Sequence, residues 1–344
     1  MNACTKCRKC RNKAQNTTEC NRRSGEKNHI TKNNVMTLPF EIALSEQKSP
    51  QEFIAYYKEN EQKIDEELSK YGALKFKNVA INSTEDFEAI TAALSSKFLN
   101  YVNGNSPRKK LSNHVYTSTE YDKSQIITMH NEMSYSASWP KRLFLSCITV
   151  SETGGETLLA DSKEILNKMN PTIVNDIKTK GIKYIRNLHG GDGFFGNSWQ
   201  DTYETTNKEE IEAYLKASEI DFTWKADNSL RIVQSRHGLN KHPDTGEDVW
   251  FNQIEHFHPC HLGDEIYEVI QSVYESPLDY PMYVTYGDGS PIDVEIIEEI
   301  VTTIDSLTVA PKWNTNELLI LDNERVCHGR NSFTGDRLVL VSMS

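Results

Sequence analysis

The chain has 344 residues, with Lys+Arg 38 against Asp+Glu 49 and a formal charge of −11. That length buries a sizeable core in one large domain or two ordinary ones, and the negative balance argues against a sequence-independent hold on nucleic acid, which needs clustered Lys and Arg to neutralise phosphates. No apolar run reaches the roughly 18 to 20 residues that span a bilayer. The first apolar cluster lies beyond residues 1–35, so no secretory signal is read and a cytoplasmic protein is expected.

Residues 1–35 hold nine Lys/Arg and two Glu, leaving 29 basic and 47 acidic residues, a net charge of −18, for the rest. This basic tail carries Cys4, Cys7, Cys10 and Cys20, a spacing that suggests a thiolate metal site. No apolar residues accompany the cysteines, and low hydrophobicity with high charge predicts disorder, with Met36 as an alternative start. Residues 36–344 are read as a single domain. The other three cysteines, Cys147, Cys260 and Cys327, are scattered without framework spacing and read as reduced thiols.

Ser49-Pro50-Gln51-Glu52 predicts a helix start with a capping box, and Phe53, Ile54, Tyr57, Ile64 and Leu68 continue one helix to Gly72. Ala73 to Ile81 alternates as a strand, and Ser83 opens a second helix to about Leu99. The polar stretch 101–125 reads as a loop or lid whose Arg108 could meet an anionic substrate. Arg142 to Val150 is apolar and β-branched enough for a buried strand. Gly154-Gly155 is a turn into another short strand and lacks any nucleotide fingerprint. Helices are predicted at Lys163 to Met169, Pro171 to Lys180, Lys208 to Ala217, Glu265 to Tyr274 and Asp293 to Ile304. Strands are predicted at Ile182 to Asn187, Leu230 to Ser235, Glu317 to Asp322 and Arg337 to Ser344, the last two closing the chain. Many short strands with helices gathered at the N-terminal side and in a middle insert imply a mainly β fold with helical elaboration: a double-stranded β-helix, or cupin-like jelly roll.

Ile126 to Tyr135 is the stretch around which this reading is organised. In an extended strand His130 and Glu132 project from one face, roughly 6 to 7 Å apart. An imidazole and a carboxylate need one more ligand to hold Fe(II) facially, and His328, late in the chain, is placed to supply it. Trp250 to His258 competes, because His256 and His258 would share a strand face beside Glu255 and His261.

The ordered motifs His130-Asn131-Glu132-Met133-Ser134-Tyr135, Gly154-Gly155-Glu156-Thr157, Trp199-Gln200, His242-Pro243, Thr245-Gly246-Glu247, Trp250-Phe251-Asn252-Gln253, Gly287-Asp288-Gly289, Asp322-Asn323 and His328-Gly329-Arg330 resemble the TauD/TfdA family of Fe(II)/2-oxoglutarate dioxygenases over about residues 100–344. Within it the chain is most similar to the branch of the syringomycin-pathway aspartyl hydroxylase (SyrP-like) and clavaminate synthase relatives. The resemblance implies that His130, Glu132 and His328 bind Fe(II), and that Thr157 and Arg337 meet the far carboxylate of 2-oxoglutarate. A guanidinium fork and a hydroxyl suit that end of a diacid. Arg337 follows His328 by nine residues, slightly short of the family spacing, so Arg330 is a second candidate. The implied reaction consumes O2 and 2-oxoglutarate, releases succinate and CO2, and hydroxylates an unactivated C–H. Glu132 occupies the position that halogenating relatives leave to chloride. The implied substrate is amino-acid-like, free or on a carrier protein, with Asn252, Gln253 and His258 expected to line its pocket and no nucleic-acid or membrane partner. Alternatives are a metal-binding jelly roll without turnover, and desaturation or epoxidation.

Overall fold

A computed structural model describes residues 38–99, 108–118, 121–193 and 195–344, all within one compact unit, Met36–Ser344. The expected tail with Cys4, Cys7, Cys10 and Cys20 lies outside the described residues, as does part of the expected lid.

The frame is a six-stranded sheet in the order Phe40–Lys48, Ala73–Val79, Glu317–Asp322, Arg142–Thr149, Leu338–Met343, Tyr116–Thr117. Its central strands are buried on both faces, which is why Glu317–Asp322 reads as an apolar run rather than an alternation. Successive residues of that strand still part company by period two. Leu318 and Ile320 join Phe76, Phe144 and Leu340 under the helices, whereas Leu319 and Leu321 join Leu145, Val339 and Val341 on the opposite face.

On the helical side Ser49 caps as expected: its hydroxyl accepts the Glu52 N–H, and its own N–H donates to the Glu52 carboxylate at 2.8 Å. The single predicted helix is two, Pro50–Glu59 and Glu61–Tyr71. Asn60 leaves helical geometry at φ −112° between them, its amide donating back to the Tyr56 carbonyl at 2.8 Å. Gly72 ends the second at φ 73°, and an added Cβ there would meet Val326 and Arg325. The next helix, Thr84–Leu94, stops short of Leu99 where Ser95 turns extended. Phe53, Tyr57, Ile64, Leu68, Phe87 and Ile90 from these helices bury against the sheet.

On the other face sits a three-stranded sheet in the order Ile127–His130, Val326–Arg330, Thr157–Asp161. Leu159 and Val326 pack onto Leu145, Leu319 and Val341 of the large sheet. Two facing sheets with the site between them form a jelly-roll core. A further four-stranded sheet, Met282–Tyr286, Ile182–Leu188, Leu230–Arg236, Asp221–Trp224, and the helices of the middle segment pack beyond it. The chain is therefore mixed helix and strand, and the mainly β expectation understated the helices. Val326–Arg330 is a third closing strand; its short Val-Cys-His-Gly-Arg sequence carries too little apolar alternation to be read. Among the described residues no helix is long and apolar enough to cross a membrane.

Candidate active site

The antiparallel pairing of Val326–Arg330 with Ile127–His130 sets His328 directly opposite His130. Opposed residues of such a pair hold their Cβ atoms about 5 Å apart, and the two imidazole centroids are 4.4 Å apart. The strands approach closely because the next residue is Gly329. A Cβ there would stand 2.6 Å from the Ile127 carbonyl oxygen.

Glu132 reaches the pair by a different route from the one its spacing suggests. The strand ends at His130, and Glu132 lies in the turn that follows, with Met133 in the left-handed region at φ 56°. That backbone costs roughly 1–2 kcal/mol for a non-glycine residue, and Asn323 holds it. The Asn323 amide accepts the Glu132 N–H at 2.7 Å and donates to the carbonyls of Glu132 at 2.9 Å and Pro140 at 2.8 Å. Asn131 donates to the Asn323 carbonyl at 2.7 Å and Gln253 donates to the Asn131 carbonyl at 2.7 Å. Asn323→Ala strands a buried N–H and two buried carbonyls; it is expected to cost about 3 kcal/mol, read as a lower urea midpoint, and to weaken iron binding. An unchanged midpoint would contradict this role.

His130, Glu132 and His328 offer ligand atoms that all lie within 4.8 Å of one another. The His328 Nε2 is 3.7 Å from a Glu132 carboxylate oxygen. Donors bound to one ion at about 2.0–2.2 Å lie roughly 3 to 4 Å apart, so the set fits a small cation. The His130 Nδ1–H donates to the Thr128 carbonyl at 2.8 Å, which fixes the tautomer and turns Nε2 toward the gap. The His328 Nδ1 is buried without a hydrogen-bond partner among the described residues.

Charge is arranged to keep the ligands unprotonated. Burial raises the Glu132 carboxyl, but the Arg108 guanidinium 2.5 Å away and the two imidazoles outweigh it and hold the group well below the ordinary carboxylate range. Burial, reinforced by His328, brings His130 down to about 4. Burial also lowers His256, His258 and His261, with His261 adding to the first two. Each of these imidazoles is depressed below its unfolded value of 6.5, so its contribution to stability is complete above 6.5 and lost as pH falls toward the folded values. The metal-free protein is therefore expected to lose stability steeply from about pH 6.5 to pH 4. A flat urea midpoint across that window would contradict the buried, neutral imidazoles.

A cavity beside the pair is lined by His130, His328, Thr157, Arg108, Arg330 and Arg337 among others. Three guanidiniums and a hydroxyl next to a cation site are the chemistry a dicarboxylate needs. Thr157 accepts from the Trp313 indole N–H at 3.0 Å, which leaves its own hydroxyl proton to donate. Arg337 is anchored by Nε to the Gly155 carbonyl at 2.9 Å and by Nη1 to the Ser118 hydroxyl at 3.1 Å. Burial lowers it to about 10, so it stays charged at neutral pH. Arg330 spends its guanidinium on carbonyls of Tyr121, Asp122 and Gln125.

The rings of the competing histidines His256 and His261 lie 5.3 Å apart, yet with His258 they form no group of three metal-competent side chains among the described residues. Trp250 to His258 is no strand: Asp248–Trp250 ends, and Ile254–Phe257 is a short helix started where the Asn252 side chain accepts the Ile254 N–H. The groups of three or more metal-competent side chains among the described residues are the triad and His242, Asp244 and Asp322. In the second, His242 pairs with Asp322 at 2.8 Å as a tie between hairpin and sheet. Of the expected pocket residues, Asn252 donates to the Gly238 carbonyl, Gln253 braces the Glu132 turn, and His258 faces Cys260. None of the three lines the cavity beside the ligand set or the larger one bordered by His256. Arg108 stands on Glu132, facing the ligand set. Sequence reasoning missed the brace Asn323 provides and missed Arg186. The signal for Arg186 is a charged residue in register with Ile182, Tyr184 and Leu188 on a buried strand face.

A fold of two facing sheets with an imidazole–carboxylate–imidazole set beside a cavity lined by guanidiniums and a hydroxyl defines a class. The family model described as taurine catabolism dioxygenase TauD, TfdA family, matches residues 41–343, and the chain belongs to that family of Fe(II)/2-oxoglutarate-dependent oxygenases. It is similar to the dapdiamide synthesis protein DdaC of Enterobacter agglomerans, 34% identical over 280 residues, covering 81% of this chain and 84% of that one. A clavaminate synthase-like protein of Arabidopsis thaliana is 28% identical over 287 residues, covering 81% of this chain and 83% of that one. In fold it is similar to an asparagine oxygenase solved with Fe(II), 3-hydroxyasparagine and succinate, at TM-score 0.53 and 11% identity over 88% of this chain and 93% of that one.

Proposed function

We infer that the chain is a cytoplasmic hydroxylase that places one oxygen atom of O2 in an unactivated C–H bond of an amino acid or carrier-tethered aminoacyl substrate, the other leaving in succinate as 2-oxoglutarate loses CO2. The similarity to a protein named for dapdiamide synthesis supports a role in specialised metabolite biosynthesis. The facing sheets are read as a double-stranded β-helix. The observation that carries the reading is the triad, its donors within 4.8 Å of one another, two of its members, His130 and His328, lining the cavity that Thr157 and Arg337 also line.

His130, Glu132 and His328 would hold Fe(II). When bound, iron supplies the activation of O2 and the cleavage of the C–H bond. The protein does the rest. The Thr128 carbonyl orients one imidazole, Asn323 positions the carboxylate, and Arg108 keeps that carboxylate ionised. Arg337 and Thr157 would fix the far carboxylate of 2-oxoglutarate, with Arg330 holding the adjoining loop. Glu132 fills the site a halide would need, so the product carries oxygen and no halogen.

Mass spectrometry of a panel of free, N-acylated and carrier-linked amino acids, incubated with enzyme, Fe(II), 2-oxoglutarate and O2, tests this. A product heavier by one oxygen, formed with one succinate, is expected. A product short of two hydrogens would assign a desaturase instead, and chlorination in chloride buffer would sink the role given to Glu132.

A further inference from the structure

A second cavity of about 610 Å³ adjoins the site, sharing Ile127 with the first. It is bordered by His256, whose ring lies 6.2 Å from that of His130 and whose Nδ1 is 3.0 Å from the Thr128 hydroxyl. The volume falls within the roughly 300–1,000 Å³ of pockets that enclose drug-sized ligands, more than a single free amino acid fills. Its wall is mostly apolar, with Leu188, Phe257, Ile270 and Met282, and carries neutral polar groups at Gln125, Thr128 and Asn197.

Among the described lining residues Arg186 alone is a Lys, Arg, Asp or Glu. It is 2% exposed, and its guanidinium lies 5.7 Å from the centroid of the Tyr135 ring, a face-on brace that holds a buried cation in place. A fixed guanidinium recognises a carboxylate through a two-pronged hydrogen bond. With no carboxylate among the described lining residues, an ammonium group meets only neutral acceptors such as Gln125, Thr128 and Asn197, which compensate its lost hydration less than an opposite charge would. A free α-amino acid carries both charges; one whose amine is acylated carries only the one this wall matches.

We propose that this cavity is the substrate chamber and that it selects an N-acylated amino acid or short peptide with a free carboxylate, which Arg186 grips while the acyl part lies along the apolar wall. The proposal rests on the oxygenase reading and narrows its substrate: free amino acids and carrier-bound thioesters, which lack either the blocked amine or the free carboxylate, are poor ligands.

The test uses the full chain with Fe(II) and 2-oxoglutarate and three matched panels: the common amino acids, their N-acetyl derivatives, and the N-acetyl amides. Aminoacyl-pantetheine thioesters stand in for a carrier. Anaerobic calorimetry reads binding, and aerobic succinate release reads turnover. The best N-acetyl amino acid is expected to bind at least about tenfold more tightly than its free, amide and thioester counterparts, the factor one charge-assisted contact contributes. In Arg186→Gln and Arg186→Lys the preference for carboxylate over amide is expected to fall by about that factor, whereas a merely structural role would weaken both ligands alike. Equal or tighter binding of free amino acids, of amides or of thioesters overturns the proposal, as does an unchanged preference in a folded variant or no binding by the N-acetyl panel. The wild-type comparison decides the matter if the variants do not fold. Absence of iron-dependent succinate with any compound, alongside selective binding of the N-acetyl panel, would instead sink the oxygenase reading and leave the chamber standing.

Discussion

Glu132→Ala is expected to weaken Fe(II) binding at least about a hundredfold and to lower succinate release more than about a thousandfold. Loss even of groups that merely orient ligands costs about 10- to 100-fold in metal affinity, and this change removes a ligand. It also leaves the Arg108 guanidinium, 4% exposed in its side chain, facing two imidazoles without the carboxylate it stands against. An incoming cation then meets net positive charge in a dry site, where the repulsion is poorly screened. A thousandfold loss corresponds to about 4 kcal/mol in the barrier. Competition with a chelator measures the affinity, and circular dichroism establishes that the variant folds. Iron-dependent turnover that survives the substitution would refute the triad.

Arg337→Met is expected to raise the KM for 2-oxoglutarate about a hundredfold or more. Two hydrogen bonds to a charged group are worth about 1.5–3 kcal/mol each, and every 1.4 kcal/mol is tenfold in affinity. Its Nε and Nη1 are held by Gly155 and Ser118, so the fork arrives already aimed and little order is lost on binding. Arg330→Met should behave differently. Its donors go to loop carbonyls, so the expected loss is thermal stability with a far smaller change in KM. The reverse ranking would exchange the roles of the two arginines.

The chemistry was more legible in the sequence than the geometry that delivers it. His130, Glu132 and His328 are brought together in the structure, yet a strand spacing was the wrong reason for Glu132, which a turn with a left-handed Met133 carries into place. What holds that turn is Asn323, 191 residues away by sequence separation, and no local pattern encodes so distant a contact. Elements with one dominant apolar face were read well, Glu317–Asp322 to the residue. Phe40–Lys48 was missed because it is an edge strand whose alternation is short: Phe40, Ile42 and Leu44 turn to the core, but Ser45, Glu46 and Gln47 that follow are all exposed. Trp250 to His258 failed for the opposite reason: nearly every residue is buried, and burial without alternation does not distinguish strand from helix. Arg186 illustrates the same limit, since a charge inside an apolar strand signals a site only once the cavity beside it is known.

The most direct measurement is anomalous diffraction from crystals grown anaerobically with Mn(II) in place of iron and with 2-oxoglutarate. The account predicts one strong metal peak about 2.0–2.3 Å from an imidazole nitrogen of His130, a carboxylate oxygen of Glu132 and an imidazole nitrogen of His328, with the far carboxylate of the diacid on Arg337. A peak lacking any of those three ligands, or seated instead among His256, His258 and His261, would contradict it.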